Sequence, residues 1–350
     1  MANFDIVVIG ASAGGVGSLQ RVVEHIPHDF PAAIFVALHL PDGIRSMLPQ
    51  ILERAGNLPT AHARNGDQIR RGRIYVAPAG FHLTLRHDRM TVARGAREHG
   101  HRPAIDPLFR SAALAYGQRA IGVILSGSLD DGTVGLREIK RAGGLAIVQD
   151  PSDTEWPSMP LSALHHVDVD YTVPAAQIGS VLQHVVMTTP VRSASDMPDR
   201  EQNRVSDELR ELIMHEDERH HPGEPSPYSC PECGGVLWEL QDGELIRFRC
   251  RVGHGYTSET LTAEQARNVE HALWSALRAL EEQAAVRRRM AERALPRGNE
   301  ASAERYQVRA RELDAHAQQV RNLVLTGVGA ADEESTPEET TPKEAAPEEP

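Results

Sequence analysis

The sequence predicts an α/β domain with a doubly wound, mostly parallel sheet, followed by a small cysteine ribbon and an α-helical hairpin. Three observations carry that expectation. Over residues 4–187, short apolar or β-branched runs alternate with helix-like segments, the pattern of a parallel sheet covered on both faces. All three cysteines fall within residues 230–250. From Thr262 onward, apolar positions recur at helical spacing. Hydrophobic residues make up 40% of the 350 but aromatics only 4%, so the core must be built from Ala, Val, Ile and Leu.

In chain order, the strand-like runs are residues 5–9, 33–38, 73–77, 120–125, 145–149 and 170–173. Several are apolar on both faces, as strands covered on each side should be. Helical patterns occupy 17–25, 107–116 and 135–142 between them. This first domain is expected over 1–189. Residues 190–225 read as a linker, with a short amphipathic helix placing Val205, Leu209, Leu212 and Ile213 on one face. The ribbon is expected over 226–257 and the hairpin over 258–328. Its first helix is opened by a capping box, Thr262-x-x-Gln265, and closed near Pro296. The second carries Tyr306, Ala310, Leu313, Ala317, Val320 and Val324 at spacings of four and three, a seam for a neighbouring helix. Residues 329–350, rich in Pro, Glu and Thr, cannot bury a core and are expected to be disordered.

The net charge of −12 is concentrated in that tail, where residues 331–350 hold eight acids and one lysine. The remaining body is nearly balanced and gives no reason to expect nucleic acid as the main partner. No charged-then-apolar leader precedes the first run, and no apolar stretch approaches the roughly 18 residues of a membrane span. The expectation is a cytoplasmic protein without membrane insertion, and three clustered cysteines do not form a secreted disulfide framework.

Gly10-Ala11-Ser12-Ala13-Gly14 matches the G-x-S-x-G nucleophile elbow in its required setting of strand, tight turn and helix. Small flanking residues let a substrate approach the serine, and the following helix aims free N–H groups at developing negative charge. The rival is a dinucleotide fingerprint, but the second strand ends in Leu38-His39-Leu40 where an acidic residue belongs. A plain glycine-rich turn is the third reading. Sites in open α/β sheets form outside the carboxyl ends of the strands. Ser12, His39 and the pair Asp130-Asp131 all fall there, so nucleophile, base and orienting carboxylate can converge. The bland alternatives are a strand-end histidine and a helix-capping aspartate.

With these residues in hand, the chain resembles the catalytic domain of the chemotaxis protein-glutamate methylesterase family (CheB-type) over roughly 4–187. The resemblance rests on the Ser12 turn, His39 followed by Leu40-Pro41, and Tyr75-Val-Ala-Pro-Ala-Gly-Phe-His82. It extends to His101-Arg-Pro-Ala-Ile-Asp106, to Gly122 through Gly132, and to Ser158-Met-Pro160. It implies Ser12 as nucleophile, His39 as general base and acid, and Asp131 as the residue orienting the histidine. Backbone N–H groups of Ala13 and Ser128 are implied as oxyanion donors, and no cofactor is implied for catalysis. The implied substrate is a glutamate side-chain methyl ester on a methyl-accepting chemotaxis receptor or similar signalling protein, with glutamine deamidation as the alternative reaction. Two departures stand out. Gly127-Ser128-Leu129 replaces the family's usual Gly-Met-Gly, and no receiver domain precedes the first strand, so different regulation is expected.

Cys230-Pro-Glu-Cys233, then sixteen residues, then Cys250-Arg-Val-Gly-His254 has the spacing of a zinc ribbon. Asp242-Gly243 between two apolar runs signals a hairpin. Four ligands without a fifth candidate suggest a closed structural zinc site, and His220-His221 belong to the linker. Residues 62–102 hold nine arginines against three acids, either a solvated face or a docking surface for acidic receptor helices. The competing functional reading is a scaffold or adaptor on a repurposed esterase fold.

Overall fold

The computed structural model describes residues 4–41, 46–188, 223–242 and 245–326. The linker helix, His220-His221, Gly243 and the acidic tail lie outside them. The chain divides into two compact units, the first running to Thr262 and the second from Ala263.

The first unit is built on β1 (Ile6–Ala11), β2 (Ala33–Leu38), β3 (Thr60–His62), β4 (Arg73–Val76), β7 (Ala120–Ile124), β8 (Leu145–Gln149) and β9 (Tyr171–Val173). A hairpin of β5 (His82–Arg86) and β6 (Arg89–Ala93) lies between β4 and β7 in the chain. The seven-stranded sheet has the order β3-β4-β2-β1-β7-β8-β9, and every pairing in it is parallel. β1 is buried on both faces throughout, which explains its unbroken apolar run. The helices α1 (Gly15–Glu24), α2 (Leu48–Ala55) and α6 (Ala175–Thr188) pack their apolar stripes on one face, around Leu19, Leu52 and Leu182. The opposite face receives α3 (Ile105–Tyr116), α4 (Thr133–Arg141), α5 (Ser158–His166) and the β5–β6 hairpin, around Phe109, Leu136 and Leu85. Each such buried side chain contributes about 1.5–3 kcal/mol. The sheet is thus doubly wound, as expected.

The boundaries shift by one or two residues, and α1 begins at Gly15 rather than 17. The sequence does not announce the β5–β6 hairpin, because His87-Asp88 lacks the glycine of the usual Asn-Gly or Asp-Gly turn. His87 nevertheless takes a positive φ of 43° there.

In the ribbon, β10 (Glu224–Ser229), β11 (Val236–Asp242), β12 (Leu245–Cys250) and β13 (Gly255–Thr257) form an antiparallel sheet in chain order. Asp242 pairs with Leu245, so β11 and β12 are antiparallel neighbours, as expected of the two runs beside Asp242-Gly243. The core is small: Leu237, Phe248, Tyr256 and Leu261 beside Cys230 and Cys250.

The next helix, α7 (Ser258–Ala294), begins a turn earlier than Thr262. Its capping box is Thr257-x-x-Thr260, not Thr262-x-x-Gln265. The Thr260 N–H donates to Thr257 Oγ1 at 3.2 Å and the Thr257 N–H to Thr260 Oγ1 at 2.9 Å. A threonine at the third helical position does the work expected of Glu or Gln. In the second unit, a short turn at Leu295–Arg297 leads to α8 (Glu300–Thr326). Leu277, Ala284 and Ala291 of α7 are buried, as are Ala303, Ala310, Leu313 and Ala317 of α8. The seven-residue steps are those of a helical seam, and Arg288 pairs with Asp314 at 2.6 Å beside it.

Candidate active site

Three neighbouring strands deliver the three expected groups. Strand order β2-β1-β7 places the segments carrying His39, Ser12 and Asp131 side by side at one sheet edge. The backbone locks them in register: the Ser12 N–H donates to Ser126 O at 2.9 Å, and the His39 N–H to Ala11 O at 3.1 Å.

The turn after β1 needs its small residues. Gly14 caps α1 with φ 72°, and a Cβ there would fall 2.6 Å from Ser126 Oγ. Gly127, across the crevice, has room for no side chain, since a Cβ would meet Met159 Sδ at 2.0 Å and Ser12 Cβ at 2.8 Å. Leu129 takes φ 63°, the left-handed conformation suited to the glycine usual in the resembled family. The loop therefore keeps that conformation at a cost of about 1–2 kcal/mol.

Ser12 Oγ lies 3.0 Å from His39 Nδ1, and His39 Nε2 lies 2.7 Å from Asp131 Oδ2. The tautomer follows from the partners. Ionised Asp131 can only accept, so Nε2 carries the proton and Nδ1 is left to accept from the serine. Asp131, buried to 2% exposure, also accepts the N–H of Ile105 at 2.8 Å and of Asp106 at 3.1 Å. Burial alone would push its carboxyl up. The charged His99 ring, the His39 hydrogen bond and the Ile105 N–H outweigh that and hold it well below the usual carboxylate range. The ring of His101 stacks on that of His39 with centroids 3.7 Å apart, a contact the spacing of the sequence did not reveal.

Asp131, not Asp130, is the carboxylate bonded to His39. Asp130 accepts the Thr257 hydroxyl at 3.0 Å, and burial pushes its carboxyl up to about 6. His82 bridges Ala96 O and the Ala104 N–H. Ala13 and Ser128, the expected oxyanion donors, are half-buried on the turn after β1 and the loop after β7. The neighbouring Gly127 N–H is committed to Trp156 O at 2.9 Å.

Behind the triad lies a buried group that sequence reading missed. His99, Asp106 and Asp131 offer ligand atoms within 4.8 Å of one another. Those atoms are already engaged: Asp106 accepts from His99 Nε2 at 2.9 Å and from the Gly135 N–H at 2.7 Å. Burial would lower the His99 pKa, but Asp131 and Asp106 raise it to about 9, so the cluster is an ion-paired network at neutral pH. Glu98, adjacent, accepts from Arg110 at 2.7 and 2.8 Å and faces Arg249 at 3.5 Å.

In the ribbon, Cys230, Cys233, Cys250 and His254 converge. Cys233 and Cys250 Sγ are 3.7 Å apart, and His254 Nδ1 is 3.6 Å from Cys230 Sγ and 3.4 Å from Cys250 Sγ. The edges of a tetrahedron around zinc would be about 3.8 Å for S–S and about 3.6 Å for S–N. The four groups fit a metal ion. Burial pushes the Cys230 thiol up to about 11, so a thiolate there calls for a cation.

Of the nine arginines in 62–102, Arg71 pairs with Asp5, Arg89 and Arg102 donate to backbone carbonyls, and Arg97 pairs with Glu232. Part of that basic stretch therefore braces the fold.

Comparison with known proteins gives a consistent result. Residues 7–182 match the CheB methylesterase family. A Leptospira interrogans chain bearing the designation protein-glutamate methylesterase/protein-glutamine glutaminase is 36% identical over 180 residues, 51% of this chain and 93% of that one. A protein-glutamate methylesterase/protein-glutamine glutaminase from Anaeromyxobacter dehalogenans is 39% identical over 184 residues, 53% of this chain and 54% of the other. The alignment thus spans about half of the Anaeromyxobacter relative. The crystal structure of the Thermotoga maritima CheB methylesterase catalytic domain superposes with a TM-score of 0.51 at 34% identity, covering 52% of this chain and 98% of that one.

Proposed function

The chain belongs to the CheB methylesterase family, and from that premise we propose that it is a protein-glutamate methylesterase acting through Ser12, His39 and Asp131. The observation that carries the reading is the unbroken relay of 3.0 Å and 2.7 Å from serine through histidine to a carboxylate held ionised.

Ser12 Oγ attacks the ester carbonyl of a methylated glutamate side chain while His39 Nδ1 takes its proton. Proton transfer of this kind is worth about 10²–10⁴-fold. The oxyanion sits at the N–H groups of Ala13 and Ser128, where one donor is worth roughly 3–4 kcal/mol. His39 returns the proton to departing methanol, and a water activated by the same nitrogen then releases the glutamate. Asp131 stabilises the imidazolium and fixes its tautomer. The same steps applied to a glutamine amide release ammonia, so deamidation is the second reaction of the site.

The substrate fits a methyl-accepting chemotaxis receptor or a related signalling protein presented in the cytoplasm. No described helix is long and apolar enough to cross a membrane. Cys230, Cys233, Cys250 and His254 would hold one structural zinc, which would supply cross-linking rather than chemistry. Incubation with methylated receptor should release methanol, and Ser12→Ala should abolish release. Release persisting in Ser12→Ala would overturn the assignment.

A further inference from the structure

Two threonines, at the end of the ribbon and in the first turn of α7, belong to the buried polar network beside the triad carboxylate. Besides capping α7, the Thr257 hydroxyl donates to Asp130 Oδ1 at 3.0 Å, and Thr260 Oγ1 accepts from His99 Nδ1 at 3.1 Å. The two hydroxyls are 2.9 Å apart. A single donor order satisfies the set: His99 to Thr260, Thr260 to Thr257, Thr257 to Asp130. On its other side, His99 Nε2 donates to Asp106 Oδ2 and stands 3.7 Å from Asp131 Oδ1. All of these residues are buried.

The backbone ties the same segments together. The His99 N–H donates to Gly255 O at 2.8 Å, and Glu98 forms an isolated parallel bridge with Gly255 of β13. Glu98 lies between Arg110 of α3 and Arg249 of β12, so the ion cluster beneath the site takes one cation from each part of the unit. A charged imidazole keeps its orientation in a buried site only while both N–H groups have acceptors. Thr260 is one of those acceptors. Without it a buried donor is left unsatisfied, and His99 must turn away from Asp106 and Asp131 or give up a proton.

We propose that Thr257, the last residue of the ribbon, and Thr260, in the first turn of α7 that follows it, acting through Asp130 and His99, position the Asp131 carboxylate, so that the end of the ribbon is part of the esterase site rather than an appended module. His99 is then a positioning residue that touches no substrate. Neither threonine falls within the stretch matched to the family. The inference rests on Ser12, His39 and Asp131 being the hydrolytic triad.

The test compares full-length Thr260→Val, Thr260→Ser and His99→Gln with the parent protein, following methanol release from methylated receptor and the His39 ring N–H resonance by NMR. A short hydrogen bond to a carboxylate shifts that resonance downfield. Thr260→Val and His99→Gln should lower kcat about 10- to 100-fold, the scale of a small misplacement, with KM within about twofold. The resonance should move upfield or vanish, and Thr260→Ser should restore both. A folded Thr260→Val or His99→Gln protein with parental kcat and an unmoved resonance overturns the proposal. Should Thr260→Val fail to fold, Thr257→Val, which removes the donor to Asp130, is read in its place, and parental kcat with an unmoved resonance again overturns the proposal. If the parent itself releases no methanol, the methylesterase assignment fails, and the resonance alone decides whether the ribbon positions Asp131.

Discussion

The α/β layer and the ribbon each gather reactive side chains, but they hold them by different means. Around Ser12 the groups are fixed by strand ends and backbone amides over a large apolar core, and against burial Asp131 is kept ionised by the charged His99 ring, by His39 and by the Ile105 N–H. Among the described residues the ribbon's apolar cluster is four side chains beside two cysteines, too few to order four metal-type ligands unaided. A large core can store charge and geometry in hydrogen bonds, whereas a small one needs a cross-link. The two regions then meet at Thr257 and Thr260, where the geometry of one is lent to the other.

That contrast ranks the expected effects. Asp131→Asn should fold, because the amide still fills the site, yet lose about 10⁴-fold in kcat as His39 adopts the wrong tautomer. Receptor demethylation rates read this directly, and a loss below tenfold would mean that Asp131 does not orient the histidine. Metal removal probes the other region. Purified protein should carry one zinc per chain by elemental analysis, and chelation should abolish ribbon structure, since such sites contribute on the order of 10–16 kcal/mol in isolated fingers. Hydrogen exchange should then rise across β11 and β12 while β1 and β2 stay protected. Protection lost equally in both regions would erase the distinction drawn above.

A subtler effect follows from His99. Its pKa is raised from 6.5 to about 9 in the fold, so its contribution to stability is complete below pH 6.5 and is lost as pH rises through 9. The thermal midpoint should fall between pH 7 and 9, and His99→Gln should flatten that slope. An unchanged slope would contradict an ion-paired His99. The smallest change is expected at Leu129, whose φ of 63° suits glycine. Leu129→Gly should stabilise by no more than about 1 kcal/mol in denaturant unfolding, strain relief being partly offset by chain entropy.

Much of this was legible in the sequence because it depends on periodicity or fixed spacing. The parallel core strands showed as unbroken apolar runs, and the grouping of three cysteines and His254 by its intervals. Ser12, His39 and Asp131 were legible because strand ends place groups at a predictable edge. The resemblance also favoured Asp131 over Asp130, and in the structure Asp131 is the one that reaches His39. The buried network of His99, Glu98, Arg110, Arg249 and Thr260 was not legible, since its partners lie up to 161 residues apart and share no local pattern. Nor was the true cap of α7, because two threonines replace the expected acidic or amide partner. The β5–β6 hairpin escaped notice because His87 adopts its positive φ without a glycine to announce it.

The central claim is that Ser12 is a nucleophile activated by His39. Treating the full-length protein with a fluorophosphonate and mapping the adduct by mass spectrometry tests it most directly. A single adduct on Ser12, formed far more slowly in His39→Gln, is the predicted result; an unlabelled Ser12, or labelling at the same rate without His39, would contradict it.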